Sequence, residues 1–222
     1  MINARILSNR FGRSLMSDTR QEHWDRIFAT KDEEAVSWFQ GRPETSLRLI
    51  RACGLPKDAR ILDVGAGCSH LPDALLEEGF TNVAVLDISA TALARTKARL
   101  GDKGLAVRFI VADLTAWQPD LAVDLWHDRA VLHFLTEDRD RTAYADAVRQ
   151  AVKPSGFVLI SGFAPSGPER CSGLPVLRAD HDAIASLLGP GFDLLETFEE
   201  DHRTPSGGRQ RFVFTRWQRR HG

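Results

Sequence analysis

The chain has 222 residues, of which 43% are hydrophobic and 27% are charged, enough for one α/β domain with a sizeable core. Its 29 basic and 30 acidic residues give a net charge of −1, so no global field predicts a nucleic-acid or membrane partner. No apolar run approaches the roughly 18 residues that a membrane span needs. Three widely spaced cysteines without a C-x-x-C pair argue against a disulfide scaffold and a zinc site, so we expect no bound metal.

The N-terminal residues 1–19 differ in composition from the rest of the chain. The first seventeen include Arg5, Arg10 and Arg13 with Ser8 and Ser14 and no acidic residue, which is the composition of an amphipathic transit peptide. The methionine at position 16 begins a more conventional segment. We therefore predict a flexible tail and a cytoplasmic protein; a transit peptide would instead place it in the mitochondrial matrix.

Two helices are predicted next, over residues 20–30 and 44–53. The second ends at Gly54-Leu55-Pro56, a helix-stop signal. No linker or repeat follows. We predict a single domain over residues 20–222, in which residues 20–55 form a helical cap over a ligand pocket.

A glycine-rich bend follows the first predicted strand, at residues 60–64. The segment reads Asp63-Val64-Gly65-Ala66-Gly67, and glycine is needed where backbone turns tightly and approaches a ligand. The dinucleotide fingerprint G-x-G-x-x-G would place a third glycine at position 70, where this chain has His70. That substitution disfavours a pyrophosphate on the next helix. It favours a cofactor with a ribose but no phosphate, such as S-adenosylmethionine.

A carboxylate ends the second predicted strand, at residues 83–87. Asp87 follows Gly67 by twenty residues, and from the tip of a strand it can accept hydrogen bonds from two ribose hydroxyls. Asp63 lies one residue before the bend. It can accept a hydrogen bond either from the loop backbone or from an amino group of the cofactor. Ser89 is a predicted N-cap for a helix over residues 89–100, which Gly101 ends.

Strands and helices continue to alternate along the chain. Helices are predicted at residues 73–78 and 138–152, and strands at 107–112, 124–128 and 156–162. Two further strands, at 192–201 and 209–217, are joined by a strong turn signal, Thr204-Pro205-Ser206-Gly207-Gly208. The pattern predicts an α/β fold: a doubly wound, seven-stranded, mostly parallel sheet with an antiparallel C-terminal strand.

Polar residues cluster at or just past the end of the fourth strand, where ligands bind in open α/β sheets. We predict His127, Asp128, Arg129 and His133 as catalytic candidates, because buried charges normally face a partner. Asp128 or one of the histidines is a candidate general base. Cys171, in a Gly/Pro-rich loop after the fifth strand, is either a structural thiol or a nucleophile.

Four motifs in this order resemble those of the class I S-adenosylmethionine-dependent methyltransferases, over roughly residues 20 to 217. They are Asp63-Val64-Gly65-Ala66-Gly67, Leu86-Asp87-Ile88-Ser89, Ala112-Asp113-Leu114 and Asp124-Leu125-Trp126-His127-Asp128-Arg129. The resemblance implies the Rossmann-like methyltransferase fold. It also implies that the cofactor contacts Asp63, Gly65, Ala66, Gly67, Asp87, Ile88, Asp113, Leu114 and Asp128, with Asp113 accepting from the adenine amine.

The N-terminal stretch is similar to a subset that includes elongation-factor lysine methyltransferases and small bacterial homologues. The shared features are Trp24-Asp25, Phe28 and Trp38-Phe39. This resemblance implies that Trp24, Phe28 and Trp38 pack near the methionine or adenine end of the cofactor. The chain departs from the subset at Arg129, where a lysine is common.

The sequence therefore predicts an enzyme that moves a methyl group from S-adenosylmethionine to a small-molecule or protein side-chain nucleophile by in-line displacement. One alternative is a nicotinamide-dependent oxidoreductase, which His70 disfavours. A second is a protein that binds S-adenosylmethionine without catalysis, which the charged Asp128–Arg129 pair disfavours.

Overall fold

The computed structural model describes residues 20–221, so the predicted tail at residues 1–19 lies outside the described part of the chain. Its centre is a seven-stranded sheet with strand order β3-β2-β1-β4-β5-β9-β8. The strands are β1 (Arg60–Val64), β2 (Asn82–Asp87), β3 (Val107–Val111), β4 (Val123–Arg129), β5 (Val152–Phe163), β8 (Phe192–Arg203) and β9 (Arg209–Arg219). The first five strands run parallel to one another.

The predicted antiparallel member is β9, which lies between β5 and β8 and pairs antiparallel with both. The order along the sheet reverses between β1 and β4, and this reversal creates the crevice where open α/β sheets bind ligands. The predicted fold class is therefore confirmed.

Helices cover both faces of the sheet. They are α1 (residues 20–30), α2 (Glu44–Arg51), α3 (Leu71–Glu77), α4 (Ala90–Leu100), α5 (Asp138–Ala151) and α6 (His181–Leu188). Side chains of α2, α3 and α4 share one buried cluster with alternate sheet residues, and side chains of α5 and α6 share the other. Alternate residues of β1 show the division: Ile61 belongs to the first cluster and Leu62 to the second.

The predicted helix signals for α4 are confirmed. The Ser89 hydroxyl accepts a hydrogen bond from the Ala92 amide at 3.1 Å, and Gly101 follows the helix with φ of 54°. Asp25 of α1 adds a contact that the sequence did not reveal, because its carboxylate accepts from the Ser89 hydroxyl at 2.5 Å and from the Thr91 amide at 3.2 Å. The Trp24-Asp25 pair thus docks α1 on the first turn of α4.

The Gly/Pro-rich loop predicted after the fifth strand contains structure that the sequence did not reveal. Residues 164–179, which we call the strap, cross from the end of β5 to α6 and contain a short hairpin, β6 (Arg170–Cys171) with β7 (Leu174–Pro175). The Leu177 amide donates to the His133 carbonyl at 2.7 Å, and the Ala179 amide donates to the Phe163 carbonyl at 3.2 Å. These bonds hold the strap over the carboxyl end of the sheet. Among residues 20–221, no helix has the length and apolar character to cross a membrane.

Candidate functional site

The glycine bend after β1 forms the floor of a cavity at the switch point. Gly65 and Gly67 have φ of 58° and 52°, a left-handed conformation that side chains disfavour. A Cβ on Gly65 would lie 2.0 Å from Cγ2 of Val131, and one on Gly67 would lie 2.8 Å from Cζ of Phe28. The space beside each glycine is thus filled by a side chain of this chain, a physical reason that the sequence pattern did not reveal.

Asp87 closes the bend from the tip of β2. Its Oδ2 accepts from the Gly67 amide at 2.8 Å, and its Oδ1 accepts from the Ser89 amide at 2.8 Å. Burial raises the pKa of Asp87 to about 6, although both amides favour the charged form. Each carboxylate oxygen keeps a further lone pair, so the group can organise the loop and still accept from a ligand.

The remaining predicted cofactor residues of strands β1 to β3 line the same cavity: Ala66, Ile88, Asp113 and Leu114. Asp113 also has a local role, because its Oδ1 accepts from both the amide and the hydroxyl of Thr115, at 2.9 and 2.8 Å. Asp113 therefore both stabilises a turn and lines the cavity wall.

Asp63 and His127 form a buried polar chain that crosses from β1 to α2. The Asp63 Oδ1 lies 2.7 Å from Nδ1 of His127, and Nε2 of His127 lies 2.9 Å from the Ser46 hydroxyl. Both ring nitrogens are therefore engaged. The second oxygen of Asp63 has no hydrogen-bond partner among the described residues, and Asp63 lines the cavity. The sequence alone did not reveal this pairing.

Asp128 does not line the cavity, which corrects its assignment both as a cofactor ligand and as a base. Its carboxylate accepts from the Val131 amide at 2.9 Å, the Leu132 amide at 3.1 Å and the Tyr144 hydroxyl at 2.7 Å. Burial raises the pKa of Asp128 to about 6. The carboxylate stabilises the turn after β4 through the Val131 and Leu132 amides. Its hydrogen bond with Tyr144 of α5 holds it in the core.

Aromatic side chains of the N-terminal segment form the roof. The ring of Trp24 lies 6.0 Å from Phe28, 6.1 Å from Trp38 and 5.0 Å from Phe134, measured between centroids. All four residues line the cavity. The Arg95 side chain ties this roof to α4 by donating to the Phe28 carbonyl at 2.6 Å.

His70, which stands where the dinucleotide fingerprint has its third glycine, has a side chain that supports the roof. The His70 ring lies 5.6 Å from Phe39 in an edge-on arrangement, and its Nε2 lies 3.4 Å from the Glu33 carboxylate. Arg99 of α4 also reaches Glu33, at 3.5 Å. His70 thus joins the bend to residues 33–39, which explains why a glycine is not required there.

Arg129 and His133 lie at the other end of the cavity. Nη1 of Arg129 donates to the Trp38 carbonyl at 2.9 Å, and the guanidinium lies 5.2 Å from the Phe212 ring centroid. Burial lowers the pKa of Arg129 to about 10, so it stays charged at neutral pH. Burial and the charge of Arg129 lower the pKa of His133 to about 3. His133 is thus a neutral imidazole and a poor base.

Several residues at this end were missed because they come from the last residue of β5, from the strap and from β9. They are Phe163, Leu174, Gln210 and Phe212. Cys171 lines the same wall, and burial raises the pKa of its thiol. The turn that separates the two ends contains Ala130, whose φ of 71° reverses the chain between Arg129 and Val131.

The residues present fit S-adenosylmethionine. The free oxygen of Asp63 suits an amino group, the carboxylates of Asp87 and Asp113 suit a ribose and an adenine amine, and the aromatic roof suits apolar surface. No phosphate-binding third glycine is needed for that molecule. The cavity is thus divided into an acidic end beside β1 to β3 and a basic, aromatic end beside β4, β9 and the strap.

Comparisons with known proteins show which enzymes this chain is similar to. A family model described as a methyltransferase domain matches residues 61–156. Zebrafish (Danio rerio) EEF1A lysine methyltransferase 2 is 28% identical over 190 residues, covering 79% of this chain and 76% of the relative. The mouse (Mus musculus) eEF1A lysine and N-terminal methyltransferase is 21% identical over 142 residues, covering 64% of this chain but only 20% of the relative.

A solved structure shares the fold. The Burkholderia thailandensis 1,6-didemethyltoxoflavin-N1-methyltransferase, which holds its substrate and S-adenosylhomocysteine, superposes with a TM-score of 0.66 at 21% identity, covering 96% of this chain and 90% of that one. Residues 61–156 thus match a methyltransferase domain, the curated relatives are methyltransferases, and the solved structure shares the fold. The chain is therefore similar to the class I S-adenosylmethionine-dependent methyltransferases.

Proposed function

We propose that this enzyme methylates a small molecule that enters beside Arg129 and His133, rather than a residue on the surface of a protein. One observation carries the proposal: the acceptor end is enclosed by the strap and by β9. Phe163, Cys171 and Phe212 line it and are at most 7% exposed. A folded protein could present only a slender side chain to such a site.

The methyl donor would occupy the acidic end. We assign Asp87 to the ribose hydroxyls, Asp113 with Leu114 to the adenine, and the free oxygen of Asp63 to the amino group. Ile88, Ala66 and the two glycines contribute backbone and apolar surface beside them. Trp24, Phe28 and Trp38 would cover the donor from above, since their rings already form the roof.

When bound, S-adenosylmethionine supplies a methyl group on a sulfonium sulfur that is already a good leaving group. The task of the chain is then to hold the acceptor in line with that methyl group and to exclude water. The aromatic roof and the strap exclude water from both sides. Arg129 and His133 supply the polar atoms that can orient the acceptor.

A second candidate acceptor is a protein lysine, favoured by the names of the elongation-factor lysine methyltransferases that the chain resembles. A lysine ammonium, with a pKa of about 10.4, must lose a proton before it can attack. Asp128, His127 and His133 offer no free basic atom there: the first two are engaged in hydrogen bonds, and the low pKa of His133 leaves its ring a weak base. These contacts favour the small-molecule acceptor.

The test compares two fractions of one lysate, the small molecules and the proteins, each incubated with the purified enzyme and labelled S-adenosylmethionine. We expect label in the small-molecule fraction. Asp87→Ala, which lacks the proposed ribose ligand, is the matched control and should abolish that signal. Label confined to protein would contradict the small-molecule proposal and support the lysine candidate.

We also propose that the enzyme acts in a reducing, cytoplasmic compartment. Cys53, Cys68 and Cys171 are free thiols in the structure. Burial raises the pKa of Cys53 to about 12 and that of Cys68 to about 11, so these thiols are weak nucleophiles. Fractionation of cells that carry a C-terminally labelled protein would test this placement.

A further inference from the structure

Two hydrogen-bond donors at the basic end of the cavity have no partner. Nε of Arg129 and Nε2 of His133 are buried, and neither finds an acceptor among residues 20–221. Leaving a buried donor unsatisfied costs about 1–3 kcal/mol, and more for a charged group. Both residues line the cavity, so a ligand there can supply the missing acceptor.

The position of the proton on His133 follows from its surroundings. Its Nδ1 lies 3.4 Å from the Phe163 amide, which can only donate. A neutral ring must then carry its proton on Nε2. Phe134 and Phe163, with centroids 4.4 and 4.8 Å from the ring, hold it in place. His133 therefore presents a fixed N–H to the cavity.

Arg129 provides the charge at the same end. No carboxylate of the described residues lies within ion-pairing distance of its guanidinium, although Asp63 and Glu200 are close enough to favour its charged form. Asp63 is already hydrogen-bonded to His127, and Glu200 accepts a hydrogen bond from the Thr45 hydroxyl at 2.8 Å. The guanidinium is thus a buried cation that lacks an anion, which is a costly arrangement without a ligand.

The other polar groups at this end do not compete for that ligand. Gln210 has a buried, unpartnered Oε1, but rotation of its amide lets it present either an acceptor or a donor. Burial raises the pKa of the Cys171 thiol and keeps it neutral. Asp63 has a buried oxygen without a partner among the described residues, and the proposed function assigns that oxygen to the donor's amino group.

We infer that Arg129 and His133 form an anion subsite for the acceptor, which reacts as the thiolate or oxyanion of a small aromatic molecule. This inference rests on the proposed function and deepens it. The two donors would hold the anionic atom, while Phe134, Phe163 and Phe212 would pack on the ring. Attack forms a bond from sulfur or oxygen to the methyl carbon and breaks the methyl–sulfonium bond, whose electron pair stays on the donor's sulfur. The proton of the thiol or hydroxyl passes to water when the acceptor binds as an anion, a form that the neighbouring Arg129 cation favours, so the attack itself needs no base from the chain.

The experiment uses four acceptors that share a ring: thiophenol, phenol, benzoate and benzylamine. Transfer of label from S-adenosylmethionine is measured for the intact enzyme, Arg129→Gln, His133→Gln and His133→Phe. Arg108→Gln is the control, because Arg108 pairs with Asp120 on the exposed surface. Thiophenol and phenol distinguish sulfur from oxygen, benzoate reports a carboxylate, and benzylamine reports a nucleophile whose reactive form is neutral and not anionic.

We expect transfer to thiophenol or phenol and little to benzylamine. Arg129→Gln should raise KM for the anionic acceptor by at least about tenfold, the scale of a lost charge-assisted hydrogen bond. His133→Phe should raise it as well, and His133→Gln, which restores an N–H, should recover part of the loss. Arg108→Gln should behave as the intact enzyme does.

A second readout is independent of turnover. Calorimetry should show that benzoate binds the complex of the enzyme with S-adenosylhomocysteine. In Arg129→Gln the affinity for benzoate should fall at least about tenfold, while the affinity for S-adenosylhomocysteine should stay within about twofold. A preference for benzylamine, or an unchanged KM in Arg129→Gln, would overturn the anion subsite alone. Loss of S-adenosylhomocysteine affinity in Arg129→Gln would overturn it too, by assigning Arg129 to the donor. Failure of the intact enzyme to bind S-adenosylhomocysteine would overturn the proposed function itself.

Discussion

At the scale of single residues, the carboxylates of this site do different work although they occupy similar positions at strand ends. Asp87 holds the glycine bend by two backbone amides and lines the cavity, while Asp128 is turned into the core by Tyr144. Asp63 divides its oxygens between His127 and the cavity. Position at a strand end selects the candidates, and the hydrogen-bond partners decide their roles.

Removal of the Asp87 carboxylate should weaken the binding of the cofactor. We expect Asp87→Ala to reduce the affinity for S-adenosylhomocysteine by about 1.5–3 kcal/mol, because hydrogen bonds to a charged group are lost. Titration calorimetry measures this change. Glu77→Ala, a change on the exposed part of α3, should leave the affinity unchanged. An unaltered affinity in Asp87→Ala would remove that residue from the site.

The affinity for the cofactor should also depend on pH. Burial raises the pKa of Asp87 to about 6, so the free enzyme protonates this carboxyl as pH falls through 6. The protonated form accepts ribose hydroxyls poorly, and binding should weaken by up to about tenfold per pH unit below that value. Calorimetry between pH 5 and 8 measures the profile. In Asp87→Asn, which cannot titrate, the profile should flatten; an equally steep profile would assign the effect to another group.

The correction for Asp128 leads to a prediction about Tyr144. Tyr144→Phe removes the hydroxyl that donates to Asp128 at 2.7 Å and receives the Trp126 indole at 3.2 Å. We expect the free energy of unfolding to fall by about 1–3 kcal/mol, with kcat changed only a few-fold. Urea denaturation and steady-state kinetics measure the two effects. A loss of kcat of about a hundredfold at unchanged stability would return Asp128 to the reaction.

At the scale of elements, the bend after β1 is fixed by its neighbours as much as by its own residues. Val131, from the turn after β4, occupies the space over Gly65, and Phe28, from α1, occupies the space over Gly67. The bend, the turn and α1 therefore pack as one unit. A change in any of them should be transmitted to the others.

Gly65→Ala tests this packing. The left-handed backbone costs about 1–2 kcal/mol for a non-glycine residue, and the clash with Val131 adds about 1–3 kcal/mol. Gly54→Ala is the matched control, because Gly54 has φ of 62° and no atom within 4 Å of the added Cβ. In urea denaturation, Gly65→Ala should be the more destabilising change, and Val131→Ala should partly rescue it. Equal effects at the two glycines would contradict the packing argument.

At the scale of the whole molecule, the two faces of the sheet carry separate helix layers, and the ligand site lies where the strand order reverses. The residues that line the site come from segments as far apart in sequence as α1 and β9. A ligand bound there contacts elements that are distant in sequence. Its binding should therefore stabilise the folded chain globally.

The expected size follows from mass action. S-adenosylhomocysteine at about a hundred times its Kd should add about 2.7 kcal/mol to the free energy of unfolding. Thermal and urea denaturation with and without the ligand measure this gain. NAD at the same concentration is the control and should add nothing; stabilisation by NAD alone would revive the oxidoreductase interpretation.

The fold could be predicted from the sequence because its signals are local. Short apolar runs, the Ser89 cap, the Gly101 stop and the turn at residues 204–208 act within a few residues. Asp63, Asp87 and Asp113 could be placed along one edge of the sheet from the sequence, since each lies within two residues of the end of such a run. Long-range partners could not be predicted, because no local pattern shows that the Tyr144 hydroxyl donates to Asp128 or that Val131 packs against Gly65.

The strap shows where this enzyme is free to change. Residues 61–156, which match the family model, contain Asp63, Asp87 and Asp113, whereas Phe163, Cys171, Gln210 and Phe212 of the acceptor wall lie outside that segment. Much of the apolar wall of the acceptor end is thus encoded outside the matched segment, whereas Arg129 and His133 lie within it. An engineer could graft a different loop at 164–179 between its anchors on His133 and Phe163 and thereby redirect methylation while the donor half stays untouched.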